Sequence, residues 1–129
     1  MVKVVNPGKA AGYMTKAENS LRMAKIGIDQ QAYDNAIMSA IHSAINALDA
    51  LTTSYLNKRA SGSHTDVFEL IKSIFPPKEY NDVKKQFTSL IGKKNETEYQ
   101  PDLMSQKDAQ NAIKCAERII NKVKDKLKK

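Results

Sequence analysis

One stretch of the chain, from Tyr33 to Leu56, limits the possible folds more than any other. Between Asn35 and Leu56 the only charged residue is Asp49, and a helix with this sequence carries apolar or small residues on three sides. Bulky residues recur in steps of three and four on the first side: Ile37, Ile41, Ala44, Leu48, Leu51 and Tyr55. The other sides carry small residues (Ala36, Ala40, Ser43, Ala47, Ala50) and a mixed set (Met38, His42, Ile45, Asp49).

A surface helix has one apolar stripe, so a helix that is apolar nearly all round must be buried nearly all round. The pattern therefore predicts the central helix of a small bundle, with a further face given to a second copy of the chain. The homodimer interface is expected on either the Met38/His42/Ile45 side or the Ala36/Ala40/Ala47 side.

Length and composition predict one globular domain over residues 1–129, with an N-terminal tail at 1–6 and a basic C-terminal end at 124–129. Hydrophobic residues make up 41% of the chain and charged residues 27%, as in ordinary soluble proteins. The sequence contains no alternating Val, Ile and Thr runs, so no strands are expected.

The same sequence points to a cytoplasmic protein without membrane contact. Residues 1–12 are too polar for a secretory signal, and residues 35–48 are too short and too rich in Ala, Ser and Asn for a membrane span. The single cysteine, Cys115, excludes an internal disulfide and suits a reducing compartment.

Five helices are predicted from apolar residues at helical spacing. The first begins near Pro7, and the second runs from about Gln31 to Lys58. A third, short helix follows the turn at residues 61–63, with Ser63 or Thr65 as its N-cap.

Prolines and a capping signal mark the remaining two helices. Pro76 and Pro77 end the third helix, and the fourth carries an apolar face from Tyr80 to Ile91. Pro101 interrupts the chain, and the fifth helix begins at the capping sequence Ser105-x-x-Asp108. Repeats near 3.5 residues on the long helices indicate an up-and-down bundle with shallow crossing angles.

The net charge of +7 is concentrated near the C-terminus, where residues 114–129 carry seven basic and two acidic side chains. Lys122, Lys126 and Lys129 are therefore candidates for a patch that attracts RNA phosphates. The alternative is a solvated helix end, since lysines near a helix C-terminus complement the helix dipole. No aromatic residues interleave with these lysines, which argues against a surface that stacks single-stranded bases.

No specific enzyme motif is present, and the two histidines lie too far apart in sequence to suggest a metal site. The apolar register of the fourth helix continues onto Lys94 and then Glu98. These opposite charges are expected to pair, either as a simple i,i+4 ion pair at the helix end or within a ligand-binding pocket. In the second case Tyr99 and His42 would complete the pocket near a dimer axis.

Four segments, in order, resemble the HEPN domain superfamily. Residues 32–51 look like its second helix, Tyr-x-x-Ala followed by two bulky residues, Phe-His-Ala-Ala and a Leu-rich end. Residues 62–71 are similar to its Ser/Thr-His-x-x-apolar-x-x-Leu-apolar segment, and residues 94–99 to its Arg-x-x-Ala-Asp-Tyr element. Residues 112–119 resemble the Ala-x-x-Ala-Glu content of its final helix. Taken as a whole, the resemblance covers residues 17–127.

The resemblance implies an all-α bundle of about five helices that dimerises and is coupled to a nucleotidyltransferase in a toxin–antitoxin or substrate-binding pair. Many members are metal-independent ribonucleases with an Arg-x(4–6)-His motif. Here Lys94 stands at the arginine position and Tyr99 at the histidine position. Lysine lacks the guanidinium fork, and tyrosine titrates near pH ~10. A literal Arg59-x4-His64 lies elsewhere, in the turn between the second and third helices.

These observations favour a HEPN-like module, without cofactor or metal, that binds a nucleotide or RNA phosphate or a partner protein. The expected binding residues are His42, Lys94, Glu98 and Tyr99. Two alternatives stay open. The first is an active ribonuclease toxin that uses Arg59 and His64, or the Lys94/Tyr99 region with His42. The second is a ligand-free structural subunit of a two-protein complex.

Overall fold

The computed structural model describes residues 1–61 and 64–128. Within those ranges five α-helices and two short strands follow in the order β1 (Val2–Val4), α1 (Ala10–Asp29), α2 (Tyr33–Leu56), β2 (Lys58–Ala60), α3 (His64–Ile71), α4 (Pro77–Tyr99) and α5 (Gln106–Leu127). The predicted all-α bundle of five helices is confirmed for this part of the chain. None of the helices in these ranges is long and apolar enough to cross a membrane.

Helix α2 is the centre of the fold and packs against α1, α4 and α5. Its small-residue side faces α1, where the Ser43 hydroxyl donates a 2.8 Å hydrogen bond to the Ala17 carbonyl. At Gly27 of α1 a β-carbon would lie 3.1 Å from the Ala36 β-carbon, so the two backbones approach closely.

The side formed by Ala36, Ala40 and Ala47 is completely buried within one chain. The alternative that placed the subunit interface on this side is therefore wrong, because α1 already covers it. On the other candidate side, Met38 and Ile45 are half-buried and His42 is exposed.

Contacts between side chains fix the directions of the four long helices. Asp34 at the start of α2 accepts a hydrogen bond from the backbone at Met104, and Tyr55 at its end donates one to the Lys126 carbonyl. Helices α2 and α5 therefore run in the same direction. Helices α1 and α4 run in the opposite one, as the ion pairs Lys25–Glu117, Lys124–Glu18, Lys93–Asp108 and Lys126–Glu79 show. The up-and-down arrangement predicted from the sequence is present.

A two-stranded antiparallel sheet joins residues near the N-terminus to the segment after α2. Its register is Val2 opposite Ala60, Lys3 opposite Arg59 and Val4 opposite Lys58. The expectation of no strands is wrong, because strands of three residues are too short to show an alternating pattern. Residues 2–4, assigned to a tail, form β1. Helix α2 ends at Leu56, two residues early, because Asn57 takes the left-handed conformation (φ 56°) that ends many helices.

Candidate functional site

The last third of α4 carries three of the predicted binding residues. The helix persists to Tyr99, and its buried line passes through Leu90 and Thr97. Lys94 lies on that line, as expected, and is half-buried. Glu98 is exposed, because at 100° per residue it is rotated about 80° from Leu90, whereas Thr97 is rotated by only about 20°.

The predicted ion pair between Lys94 and Glu98 is not formed in the described part of the chain. The neighbouring lysine forms ion pairs instead: Lys93 Nζ lies 3.3 Å from the Glu96 carboxylate and 3.5 Å from that of Asp108. Lys94 is only half-buried, so water can solvate its ammonium and pairing is not required. No local pattern in the sequence indicates the Lys93–Asp108 pair, because it depends on how α5 packs against α4.

The two ionised groups that join α4 to α5 have shifted pKa values. The hydrogen bond that Lys93 donates to Glu96 raises the pKa of its ammonium, and Asp108 adds to the effect. Hydrogen bonds from the backbone and side chain of Ser105 lower the pKa of the Asp108 carboxyl. Ser105 and Asp108 form a reciprocal capping box, as predicted from the sequence. This contact therefore fixes the end of α4 beside the beginning of α5.

Tyr99 and His42 both lie at the surface. The Tyr99 side chain is 72% exposed at the end of α4. His42 is exposed on α2, where its carbonyl accepts a hydrogen bond from the Asn46 side chain. Within the described residues, no hydrogen bond or ion pair joins His42 to Lys94, Glu98 or Tyr99. The pocket expected around these four residues is thus not assembled by direct contacts within one chain, and their role in binding stays a prediction.

Arg59, the other candidate motif residue, lies in β2 and not in an irregular turn. It lies opposite Lys3 in the sheet and close to Asp49 of α2, which is only 6% exposed. Burial raises the pKa of Asp49 to about 6, and the positive charge of Arg59 acts in the opposite direction. The side chain of His64 lies outside the described residues, so the proposed Arg59–His64 pair stays a prediction.

The predicted basic patch lies at the far end of α5. Lys126 lies 3.9 Å from the Glu79 carboxylate and 5.9 Å from the centre of the Phe75 ring. Lys122 lines an open cleft of about 600 Å³, whose other charged side chains are Lys78, Arg118, Glu79, Asp82 and Asp125. Glu79 thus reduces the attraction of Lys126 for phosphate, whereas at Lys122 cationic and acidic side chains are equal in number. The third member, Lys129, lies outside the described residues.

The two sets of candidate binding residues are at opposite ends of the bundle. Lys93 contacts Asp108 in the first turn of α5, whereas Lys122 and Lys126 lie in its last two turns. A helix of 22 residues is about 33 Å long. One mononucleotide cannot contact both ends. In the described residues, no group of three or more His, Cys, Asp and Glu side chains is placed to hold a metal ion.

Comparison with known proteins identifies the fold. The profile of the HEPN domain matches residues 10–126, almost the whole chain. The chain belongs to the HEPN domain family. A similar solved structure is TT1696 from Thermus thermophilus, with 20% identity and a TM-score of 0.72, over 92% of this chain and 98% of that one. At this identity the likeness shows the fold alone. None of the curated proteins matches the sequence significantly.

Proposed function

We propose that this HEPN protein is a binding module for a nucleotide or an RNA phosphate, with Lys94 as the phosphate-binding residue. The observation that carries the proposal is the environment of Lys94: the residue lies half-buried on the inner line of α4, and no carboxylate pairs with it in the described part of the chain. An ammonium without a carboxylate partner is open to an anionic ligand, and a phosphate oxygen would accept a charge-assisted hydrogen bond from it.

Tyr99 offers a second contact surface at the end of the same helix, about 140° around the axis from Lys94. A tyrosine ring that is 72% exposed offers a flat surface on which a base can stack, and one such stack contributes about 1–3 kcal/mol. The position of Lys94 and Tyr99 also corresponds to the polar element that the sequence shares with HEPN domains. Lysine binds phosphate as a point charge, without the paired hydrogen bonds of arginine, so the site suits binding better than catalysis.

Fluorescence anisotropy with a labelled single-stranded RNA tests this proposal. Lys94→Ala is expected to weaken binding about tenfold and to reduce the dependence of affinity on salt, because one phosphate contact is lost. Lys85→Ala is the matched control, since Lys85 is an exposed lysine of the same helix nearer its other end. Equal losses in the two variants would reject Lys94 as a specific site and leave only general attraction to a basic protein.

The distal basic residues can be tested in the same titrations. If RNA is long enough to reach the far end of the bundle, replacing Lys122 and Lys126 by Gln should lower the salt dependence further. For a mononucleotide the same double variant should have no effect. A loss of mononucleotide affinity in the double variant would place the binding site at the C-terminal end of α5, far from Lys94, and contradict the proposal.

We further propose that the protein forms a homodimer through the Met38/His42/Ile45 side of α2, and that the dimer pairs with a nucleotidyltransferase in a toxin–antitoxin-like system. Met38 and Ile45 pack against the core of their own chain but stay half-buried, so part of each side chain is open to a second copy. Light scattering at micromolar concentration should report a dimer, and Ile45→Glu should convert it to a folded monomer. A wild-type monomer would contradict the dimer, and failure to co-purify with a co-expressed nucleotidyltransferase would contradict the pairing.

A ribonuclease activity based on Arg59 is the competing proposal. The interaction of Arg59 with buried Asp49 favours a structural role, because the carboxylate competes with substrate phosphate for the guanidinium. An RNA cleavage assay without added metal distinguishes the ribonuclease from the binding module. Cleavage that is lost in both Arg59→Ala and His64→Ala, with the folded structure retained, would favour the enzyme over the binding module.

A further inference from the structure

A cavity of about 460 Å³ lies where the turn between α1 and α2 meets the loop between α4 and α5. Residues 31–35 form one wall, and Leu103 and Met104 form the other. The Asp34 carboxylate accepts a 2.8 Å hydrogen bond from the Met104 backbone N–H, which holds the loop against the helix. The cavity is therefore formed by the folded chain itself, at the same end of the bundle as Tyr99.

The walls of the cavity suit a flat, uncharged ring. Tyr33, Met104 and Leu103 contribute apolar surface, and Leu103 is 88% exposed although it is a leucine. Among the described residues that line the cavity, Asp34 is the only one with a charged side chain, so a phosphate group would be repelled from it. The volume lies within the range of about 300–1,000 Å³ that is usual for small-molecule sites.

The beginning of α2 adds hydrogen-bond donors beside this carboxylate. The N-cap residue is Ala32, which has no side chain that can accept a hydrogen bond from the first turn. The first backbone bond within the helix is donated by Ala36 to the Ala32 carbonyl. The N–H groups of residues 33–35 consequently have no partner within the helix, and these residues line the cavity.

The turn before α2 also carries a side chain where glycine is usual. Gln31 has φ 61°, the left-handed conformation that is unfavourable for a residue with a β-carbon. The Ala32 N–H donates to the Gly27 carbonyl over 2.8 Å, which completes the usual helix-ending motif around Gln31. The amide of Gln31 lines the cavity and supplies one more donor and one more acceptor.

We propose that this cavity binds a guanine base. The guanine carbonyl oxygen would accept hydrogen bonds from the free N–H groups at the beginning of α2, and the adjacent ring N–H and amino group would donate to Asp34. Adenine presents a ring nitrogen that accepts, and this nitrogen would face the carboxylate unfavourably. Uracil offers a single N–H between two carbonyls. The inference rests on the proposed function, since the phosphate of the same nucleotide would lie outside the cavity, toward Lys94.

Calorimetric titrations of the full chain with GMP, AMP and inorganic phosphate test the proposal. Wild-type protein is expected to bind GMP about tenfold or more tightly than AMP, as one good pair of hydrogen bonds to a base gives. Asp34→Asn keeps an oxygen for the Met104 N–H but replaces the other carboxylate oxygen by a donor. It should abolish the preference for GMP and leave phosphate binding unchanged.

Two further variants separate the cavity from general effects of charge and folding. Asp102→Asn removes one negative charge from the same loop at an exposed position outside the cavity, and GMP affinity should not fall. Leu103→Ala removes exposed apolar surface, so it should fold normally and weaken GMP severalfold without affecting phosphate. If Asp34→Asn does not fold, the Leu103 variant decides the question.

The outcomes distinguish this inference from the proposed function. Equal affinities for GMP and AMP that Leu103→Ala leaves unchanged would reject the guanine site. If Lys94→Ala still weakened the binding of both nucleotides, the proposed phosphate site would stand. Absence of nucleotide and phosphate binding in the wild type would reject both. A preference for GMP that Asp34→Asn removes, together with a loss in Lys94→Ala, would support both.

Discussion

Replacing Asp49 by Asn is expected to stabilise the protein at neutral pH. Asp49 lies on α2 with 6% of its surface exposed, and burial raises the pKa of its carboxyl from 3.8 to about 6 although Arg59 is close. The folded protein thus binds a proton at Asp49 more tightly than the unfolded chain does. Asparagine has nearly the same shape and no charge, so the variant avoids burying a carboxylate.

The magnitude follows from the difference between the two pKa values. Stability contributed by this group is fully present below about pH 4, where both states are protonated, and is lost as the pH rises through about 6. A difference of about 2 units at 1.36 kcal/mol per unit corresponds to about 3 kcal/mol above pH 7, with the attraction of Arg59 already included. Asp49→Asn should therefore gain up to about 3 kcal/mol over the wild type at pH 7.5.

Urea unfolding followed by circular dichroism, at several pH values between about 4 and 8, measures this gain. The difference in free energy of unfolding between variant and wild type should be small near pH 4, rise up to about pH 6.5 and then level off. Asp125→Asn is the control at an exposed position, with an expected change within about 0.5 kcal/mol. A variant that is less stable than the wild type at pH 7.5 would mean that attraction to Arg59 outweighs burial and would refute the reasoning.

Two further predictions concern how the helices pack and begin. Gly27→Ala should destabilise the chain by about 1–3 kcal/mol in thermal unfolding, because the new β-carbon would lie 3.1 Å from that of Ala36. The control is Gly12→Ala in the same helix, whose β-carbon meets nothing within 4 Å and which should stabilise the chain by about 0.5–1 kcal/mol. Equal effects of the two substitutions would contradict the close contact. Ser105→Ala should lower the free energy of unfolding in urea by about 1 kcal/mol, because the cap of α5 is lost. Ser89→Ala, at an exposed position on α4, should leave it unchanged. Similar values for the two variants would show that the cap is not important.

The sequence was sufficient to predict those elements whose local pattern is compatible with only one structure. The apolar sides of residues 35–56 required a central helix, and α2 has that position. The spacing Ser105-x-x-Asp108 predicted a helix start because both partners of the cap lie within one turn. Pro101 marked the end of α4 within two residues, whereas Pro76 and Pro77, predicted to end the third helix, begin α4, because α3 already ends at Ile71. The family could also be suggested from the order of short segments, and the profile match over residues 10–126 bears this out.

The candidate site depended on contacts between residues far apart in the chain, and these only the tertiary structure decides. Periodicity placed Lys94 on the inner line of α4, but the approach of α5 gives Asp108 to Lys93 and leaves Lys94 without a carboxylate in the described part of the chain. The same holds for the sheet, since β1 pairs with β2, which lies more than fifty residues later in the chain. Helical patterns are encoded within a few residues, whereas charge pairing and the cavity at Asp34 depend on the separation and rotation of whole helices, which no single segment specifies.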